Sequence, residues 1–272
     1  MQDADYSADM KLLREAALEA GKIAMAYYCK SLKIWDKEPN HPVTEADLAV
    51  NTFLMETLRA ARPDYGWLSE ETLDTPDRLD RERVFVVDPI DGTRAFMNGD
   101  PHFCIALAVL ENDQPVASVI YAPAHRELYE AYYGGGARMN GQTILASKRT
   151  NLVEGRLIAD PGMFDHPGWP QVWPDLVHPE VKPNATAYRM ALVADGRWDA
   201  VMVLGNKSDW DIVAATLIIR EAGGKATCHN GVPFVFNQKV AAQQSLIAGG
   251  PVIHGLLVER CRHICLRKPG DS

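Results

Sequence analysis

The stretch Val84–Phe96, VFVVDPIDGTRAF, decides how the rest of the chain is read. Four apolar residues run into Asp88, Pro89 follows, and a second carboxylate, Asp91, closes a D-x-x-D pattern. An apolar run stopped by Asp-Pro predicts a buried strand that ends in acids. Gly92 and Thr93 then offer an unencumbered backbone and a hydroxyl. Carboxylates hold hard cations, and N–H groups at a helix start receive an anion. D-x-x-D is also ordinary turn chemistry, with each aspartate bonding nearby amides. The strand before it and the Gly-Thr after it favour metal-assisted chemistry on a phosphate. Pro89 stiffens the turn, and Gly92 admits a substrate oxygen close to the backbone.

Other acids gather around this motif. Glu70 and Glu71 follow Trp67-Leu68-Ser69. If that triplet is a strand, its end would lie beside the end of Val84–Asp88, making Glu70 a third carboxylate for the same cations. Glu71 would then orient or deprotonate a water, although adjacent glutamates also form solvated faces. Thr44 and Asp47 fit a T-x-x-D capping box before a helical pattern, worth about 1 kcal/mol. Asp211 sits where a first-turn acid complements the helix dipole, and Ala214 and Ala215 would let that helix end pack closely. Together these acids would build a two- or three-metal phosphoesterase centre. In such a centre Mg²⁺ lowers the pKa of a water and steadies the leaving oxygen.

The chain has 272 residues, 47% hydrophobic and 24% charged, which is ordinary for a soluble globular protein. A net charge of −8 without a long basic run argues against a nucleic-acid groove. An acidic chain acting on an anion needs positive charge in its site, which metal ions would supply. Five scattered cysteines with no C-x-x-C pair signal neither a disulfide framework nor a zinc site. The acidic N-terminus lacks a signal-like apolar region, and no apolar run approaches the roughly 18 residues of a membrane helix. A cytoplasmic location is expected.

Periodicity predicts a first helix capped by Asp9, with Leu13, Ala16, Ala17, Ala20, Ile23, Ala24 and Tyr27 on one face. Lys37–Pro42 reads as loop. A second helix follows Thr44 through Leu48, Thr52, Met55 and Leu58, and ends by Arg62 before Pro63. Strands are expected at Val84–Val87, in a hairpin of Cys104–Leu110 with Pro115–Tyr121, and at Glu127–Tyr133. Later come strands at Arg156–Ala159 and Trp198–Leu204, and helices at Tyr188–Asp195 and Trp210–Ala222. Gly223-Gly224 sits at a C-cap. Grouped strands followed by alternation predict an α+β half over 1–140 and an α/β half over 141–265, with a 266–272 tail. Asp165–Pro183, rich in Pro, Trp and His, reads as an irregular excursion. His102 and His229 carry no ligand spacing, and no Ser/His/Asp or Cys/His constellation competes.

In order along the chain stand VTEAD at 43–47, LSEET at 68–72, DPIDGTRAF at 88–96, GGGARMNG at 134–141, WDIVAA at 210–215 and EAGG at 221–224. This succession resembles the inositol monophosphatase family of Mg²⁺-dependent, lithium-sensitive sugar and nucleotide phosphatases. The resemblance implies metal ligation by Glu70, Asp88, Asp91, Asp211 and the Ile90 carbonyl, with Asp47 at the most loosely held of two or three Mg²⁺ ions. It implies that Thr93, paired with Asp47, helps to activate the attacking water, with Glu71 behind it. Asp91, Gly92 and Thr93 would contact substrate. The implied fold is a layered αβαβα sandwich, two halves with the site between them, assembled as a homodimer.

Departures from the family pattern bear on the substrate. Inositol phosphatases carry a hydroxyl-binding glutamate seven residues before the aspartate of the second motif, and here that position is Leu204. The Gly-Ser that often opens the neighbouring helix is replaced around Asn184-Ala185. Polyol specificity depends on paired hydrogen bonds. The local texture, AYRMALVADGRWDA then NKSDWDIVAA, resembles bacterial 3'(2'),5'-bisphosphate nucleotidases. Arg94, Arg189 and Lys207 are candidates for a second phosphate, or else solvated surface charges. A small phosphate ester is therefore expected: a bisphosphate nucleotide first, inositol 1-phosphate or another sugar phosphate next, then histidinol phosphate. A non-catalytic regulatory protein on the same fold is the alternative of another class.

Overall fold

The computed structural model describes residues 6–38, 41–165 and 169–270. Helix α1 (Tyr6–Tyr27) buries Leu13, Ala16, Ala17, Ala20 and Ala24, the three- and four-residue spacing of an amphipathic helix. Asp9 is not its cap, because the helix starts before it. Asp9 instead accepts hydrogen bonds from Arg62 Nε (3.1 Å), Tyr65 Oη (2.9 Å) and an Arg83 guanidinium nitrogen (3.2 Å). Strands β1 (Ile34–Glu38) and β2 (His41–Thr44) pair antiparallel, so much of the expected 37–42 loop is hairpin; residues 39–40 lie outside the described residues. Helix α2 (Glu45–Ala61) starts at its Thr44 cap and stops at Arg62. Its buried side is Val50, Leu54 and Leu58, whereas Leu48 and Thr52 face outward. The helix turns Asp47 and Asn51 inward, and the apolar residues that share their side follow.

The seven-stranded sheet comprises β3 (Gly66–Ser69), β4 (Arg83–Asp91), β5 (Cys104–Glu111), β6 (Gln114–Ala122), β7 (Glu127–Tyr132), β8 (Ala137–Met139) and β9 (Gln142–Thr143), in that spatial order. β3 runs parallel to β4, and the other pairs are antiparallel. Asn112 and Asp113 join β5 to β6 with φ of 49° and 63°, the twist that suits a two-residue hairpin. Along β4, Phe85 and Val87 pack with α1 and α2, while Val84 and Val86 join the core on the opposite face. Cover on both faces explains why this strand is apolar without interruption. Helix α3 (Thr93–Met97) follows β4 directly.

The second sheet takes β10 (Gly155–Ile158), β11 (Leu176–Val177), β12 (Ala200–Val203), β14 (Lys225–Thr227) and β16 (Leu246–Gly249), in the order β11-β10-β12-β16-β14. Short β13 (Lys207–Ser208) pairs with β15 (Ala242–Gln243). Helices α4 (Thr186–Ala194) and α5 (Asp209–Glu221) lie between the sheets, and α6 (Pro251–Cys261) covers the far side of the smaller one. The layers are therefore αβαβα. One apolar cluster, from Leu68 to Ala248, joins both sheets through α4 and α5. Gly223, at φ +81°, ends α5 by donating to Arg220 O, and Gly224 N donates to Ile219 O. Within the 165–183 excursion β11 is the regular element among the described residues; 166–168 lie outside them. Among the described residues no helix is long and apolar enough to cross a membrane. All five cysteines are unpaired.

Candidate active site

Pro89 sits where β4 slips against β5. Asp88 opposes Ala106 and Asp91 opposes Cys104, three steps on one strand against two on the other. Proline cannot donate to the ladder and is tolerated at such a bulge. The slip matters because a regular strand would place residues three apart on opposite faces. With the bulge, Asp88 and Asp91 line the same cavity. The strand thus runs on through Pro89 to Asp91 instead of ending at Asp88. Gly92 leaves it at φ +93°, and a Cβ there would lie 3.1 Å from Ala185 Cβ and from His102 O. Both the backbone and the space require glycine.

The cavity holds about 520 Å³. One wall is Glu70, Asp88, Ile90, Asp91, Gly92, Thr93 and Arg94. The other is drawn from the C-terminal half and includes Asn184, Arg189, Asn206, Lys207, Trp210 and Asp211. Glu70 arrives because β3 ends beside β4, with Glu70 N donating to Val87 O at 3.2 Å. Asp47 and Glu71 stand behind this lining. Thr93 Oγ1 lies 3.1 Å from Asp47 Oδ1 and 3.2 Å from Ile90 O. Asp47 Oδ2 accepts from Thr44 N (2.8 Å) and Thr44 Oγ1 (2.5 Å). Asp47 therefore closes a capping box with one oxygen and meets Thr93 with the other. Asp211 is built alike: at the third position of α5 it accepts from Ser208 N (3.3 Å), with Lys207 Nζ 3.6 Å away.

Charge is the dominant feature. Asp88 is 1% exposed, and neither of its carboxylate oxygens meets a hydrogen-bond donor. Burial first, then the charges of Glu70, Asp91 and Asp211, push its carboxyl well above the usual range. Asp91 is pushed up to about 7 by burial and then by Asp211, against hydrogen bonds from Ala187 N (2.5 Å) and Thr186 N (3.0 Å). Burial also raises Asp211, which Lys207 counters, and raises Asp47. Glu71 reaches about 7 through burial, opposed by its hydrogen bond from Lys37. Arg189 is held the other way: burial lowers it, and Asp91 and Asp211 pull it back up. Its Nε and a terminal nitrogen donate to Pro183 O and Asn184 O, each at 2.5 Å.

A buried carboxylate without a donor is costly unless a cation meets it. Asp88, crowded by four more acids, fits hard cations with oxygen ligands. Among the described residues no three His, Cys, Asp or Glu side chains stand ready to hold one ion. Several of the acids are turned to protein cations instead: Lys37 Nζ reaches Glu70 (3.1 Å) and Glu71 (2.6 Å), and Lys207 faces Asp211.

Sequence comparison gives first the class, a hydrolase of phosphate esters, and then the family. Residues 5–264 match the Inositol monophosphatase family, and the chain belongs to it. Members are phosphoric monoester hydrolases, in general metal-dependent, acting on small phosphate esters. The chain is 34% identical to an inositol-1-monophosphatase of Mesorhizobium japonicum, covering 93% of this chain and 96% of that one. It is 31% identical to the 3'(2'),5'-bisphosphate nucleotidase CysQ of Aggregatibacter actinomycetemcomitans, over 83% and 86% of the two chains. The crystal structure of the extragenic suppressor protein suhB from Bartonella henselae superposes with a TM-score of 0.80 at 29% identity, covering 94% of this chain and 98% of that one.

Sequence reasoning missed several neighbours of the site. Lys37 lay in a segment read as loop, yet it bridges two of the acids. Cys104 Sγ stands 3.8 Å from Asp91 Oδ2, with burial raising the thiol. The Thr186 and Ala187 amides reach Asp91 across the fold, and nothing local marks such a contact. The signal for Lys37 was its basic charge beside the T-E-A-D segment. His102 is not isolated: its Nδ1 pairs with Asp100 at 2.7 Å, and its ring packs on His125 and Tyr188. His229 is tied to Ser245 Oγ and Ile264 O.

Proposed function

We propose that this protein is a Mg²⁺-dependent, lithium-sensitive phosphomonoesterase whose preferred substrate is a 3'(2'),5'-bisphosphate nucleotide. The donor-free, buried Asp88 carboxylate carries the metal half of this proposal. Glu70, Asp88, Asp91, Asp211 and the Ile90 carbonyl would hold two or three Mg²⁺ ions, with Asp47 at the loosest. When bound, Mg²⁺ supplies Lewis-acid polarisation of the phosphate and a more acidic water. The chain's own residues do the rest. Thr93 Oγ1, with its proton directed to Asp47 Oδ1, has lone pairs left to accept a hydrogen bond from the attacking water. The proton shed by that water passes through Thr93 to Asp47 as the water oxygen attacks phosphorus, the ester P–O bond breaks, and the departing oxygen takes a proton from solvent to leave as an alcohol. Glu71, whose carboxyl burial pushes up to about 7, stands behind this pair. Gly92 and Thr93 present backbone amides to the phosphate, and Arg94, Arg189 and Lys207 balance anionic charge in the cavity.

The nucleotide preference rests on Leu204, which offers no acceptor where a polyol phosphatase needs one, and on the likeness to a bisphosphate nucleotidase. A polyol phosphate is the second choice, favoured by the 34% identity to an inositol-1-monophosphatase. A cytoplasmic homodimer completes the proposal. Phosphate release from 3'-phosphoadenosine 5'-phosphate, inositol 1-phosphate and histidinol phosphate, at matched Mg²⁺, tests it. The bisphosphate should show the highest kcat/KM, chelation should abolish release, and added Mg²⁺ should restore it. Full activity after exhaustive chelation would overturn the metal mechanism. Equal poor turnover of all three would overturn the substrate.

A further inference from the structure

Beside the carboxylate cavity lies a second one of about 520 Å³, and Arg189 lines both. Its walls are the loop after β10 (Ala159, Asp160, Gly162, Met163), the loop after β12 (Leu204, Gly205), and Lys182 ahead of α4. β10 and β12 run parallel, so both loops leave the same end of the sheet. Crevices at the carboxyl ends of parallel strands are where α/β sheets take their ligands. The size falls within the roughly 300–1,000 Å³ of small-molecule sites, more than a bare phosphate fills.

The second cavity differs in chemistry from the first. Met163, Met202, Val203 and Leu204 give it apolar surface. Its charged residues are Lys182 and Arg189 against a single acid, Asp160. Lys182 Nζ stands 3.8 Å from Asp160 Oδ2, and both side chains are substantially exposed. A pair that long and that wet is weak. Asp160 is also committed elsewhere, since its Oδ1 caps Gly162 N at 3.2 Å. Lys182 can therefore exchange Asp160 for a stronger anion at little cost.

We propose that Lys182 determines specificity by receiving a second phosphate carried on the leaving part of the substrate. The ester phosphate sits among the carboxylates, the body of the leaving group crosses Arg189, and the apolar surface of Met163 and Leu204 receives its ring. The substrate class is a ring-bearing phosphate monoester with a second phosphate distant from the first. Asp160 competes for Lys182 when that phosphate is absent. This assignment rests on the carboxylate cavity being the hydrolytic centre.

The test compares a nucleoside 3',5'-bisphosphate with the matching nucleoside 3'-monophosphate in the wild type, Lys182→Ala, Lys182→Arg and Asp160→Asn. Lys182→Ala should lower the bisphosphate-to-monophosphate ratio of kcat/KM about tenfold, the scale of one charge-assisted contact, with the loss in KM rather than kcat. Lys182→Arg should restore most of the ratio, and Asp160→Asn should raise it a few-fold. An unchanged ratio in Lys182→Ala, or a loss confined to kcat, overturns the role of Lys182 and leaves the phosphatase assignment standing. No phosphate release by the wild type from any ester, with Mg²⁺ present, overturns the phosphatase assignment itself.

Discussion

The two adjoining cavities are built by opposite means. The carboxylate cavity hangs on β4, a strand buried on both faces, and its acids are fixed by backbone: a bulge at Pro89, two helix caps, two amides on Asp91. The second cavity hangs on loops after short strands, and two of its three charged residues, Lys182 and Asp160, stand 3.8 Å apart with substantial exposure. The first gathers buried acids on a fixed backbone, as the proposed cation centre requires. The second can be altered without disturbing the frame. In the proposals above, chemistry falls to the first region and choice of substrate to the second.

If that division is right, changes in the first cavity should fall on every substrate alike. Asp88→Asn should have the largest effect, roughly a thousandfold or greater loss of kcat on any ester. The same change relieves the crowding of buried acids around Asp88, so the chelated protein should melt no lower than the wild type. A variant that keeps activity, or unfolds, breaks the comparison. Should a cellular phenotype survive Asp88→Asn, a regulatory role on the same fold gains ground.

Thr93→Val comes next, with kcat falling about a hundredfold, as general-base contributions go, and KM little changed. Its loss should be equal for bisphosphate and monophosphate esters. A Thr93→Val variant with selective loss on one substrate would place Thr93 in substrate choice instead.

The smallest effect is on stability. Without bound cations, Asp91 and Glu71 each hold their proton up to about pH 7, whereas ordinary carboxyls lose it near pH 4. A group with a raised folded pKa stabilises the fold fully below its unfolded pKa, and that stabilisation is lost as pH rises through the folded value. The chelated protein should therefore lose several degrees of Tm between pH 5 and pH 8, and saturating Mg²⁺ should reverse the trend. A Tm flat over this range with chelator present would mean that the cavity is wetter than its geometry indicates.

Much of this could be read along the chain. The Val84–Val87 run, the hairpin around Asn112-Asp113, the Gly223 cap and the Thr44–Asp47 capping box are local signals, because strand period, turn chemistry and capping act within a few residues. The layered αβαβα fold followed from the resemblance, with the motifs in order. Other features were illegible. The inward side of α2 was not legible because Asp47 and Asn51, which are polar, set its rotation. Lys37 was read as loop because its partners, Glu70 and Glu71, lie more than thirty residues away.

By itself, the sequence supplied the inventory: Glu70, Asp88, Asp91 and Asp211 as candidate acids for hard cations, Gly92-Thr93 as the candidate for an anion, and Leu204 where the resemblance expects a glutamate. Only the tertiary structure decided that Asp88 would be sealed without a donor, and that Asp91 would be held by α4 amides. It alone decided that Arg189 would stand between two cavities of unlike chemistry. The physical reason is range. Residue type and spacing fix what a side chain can do, but burial and Coulomb coupling depend on neighbours that only folding brings together.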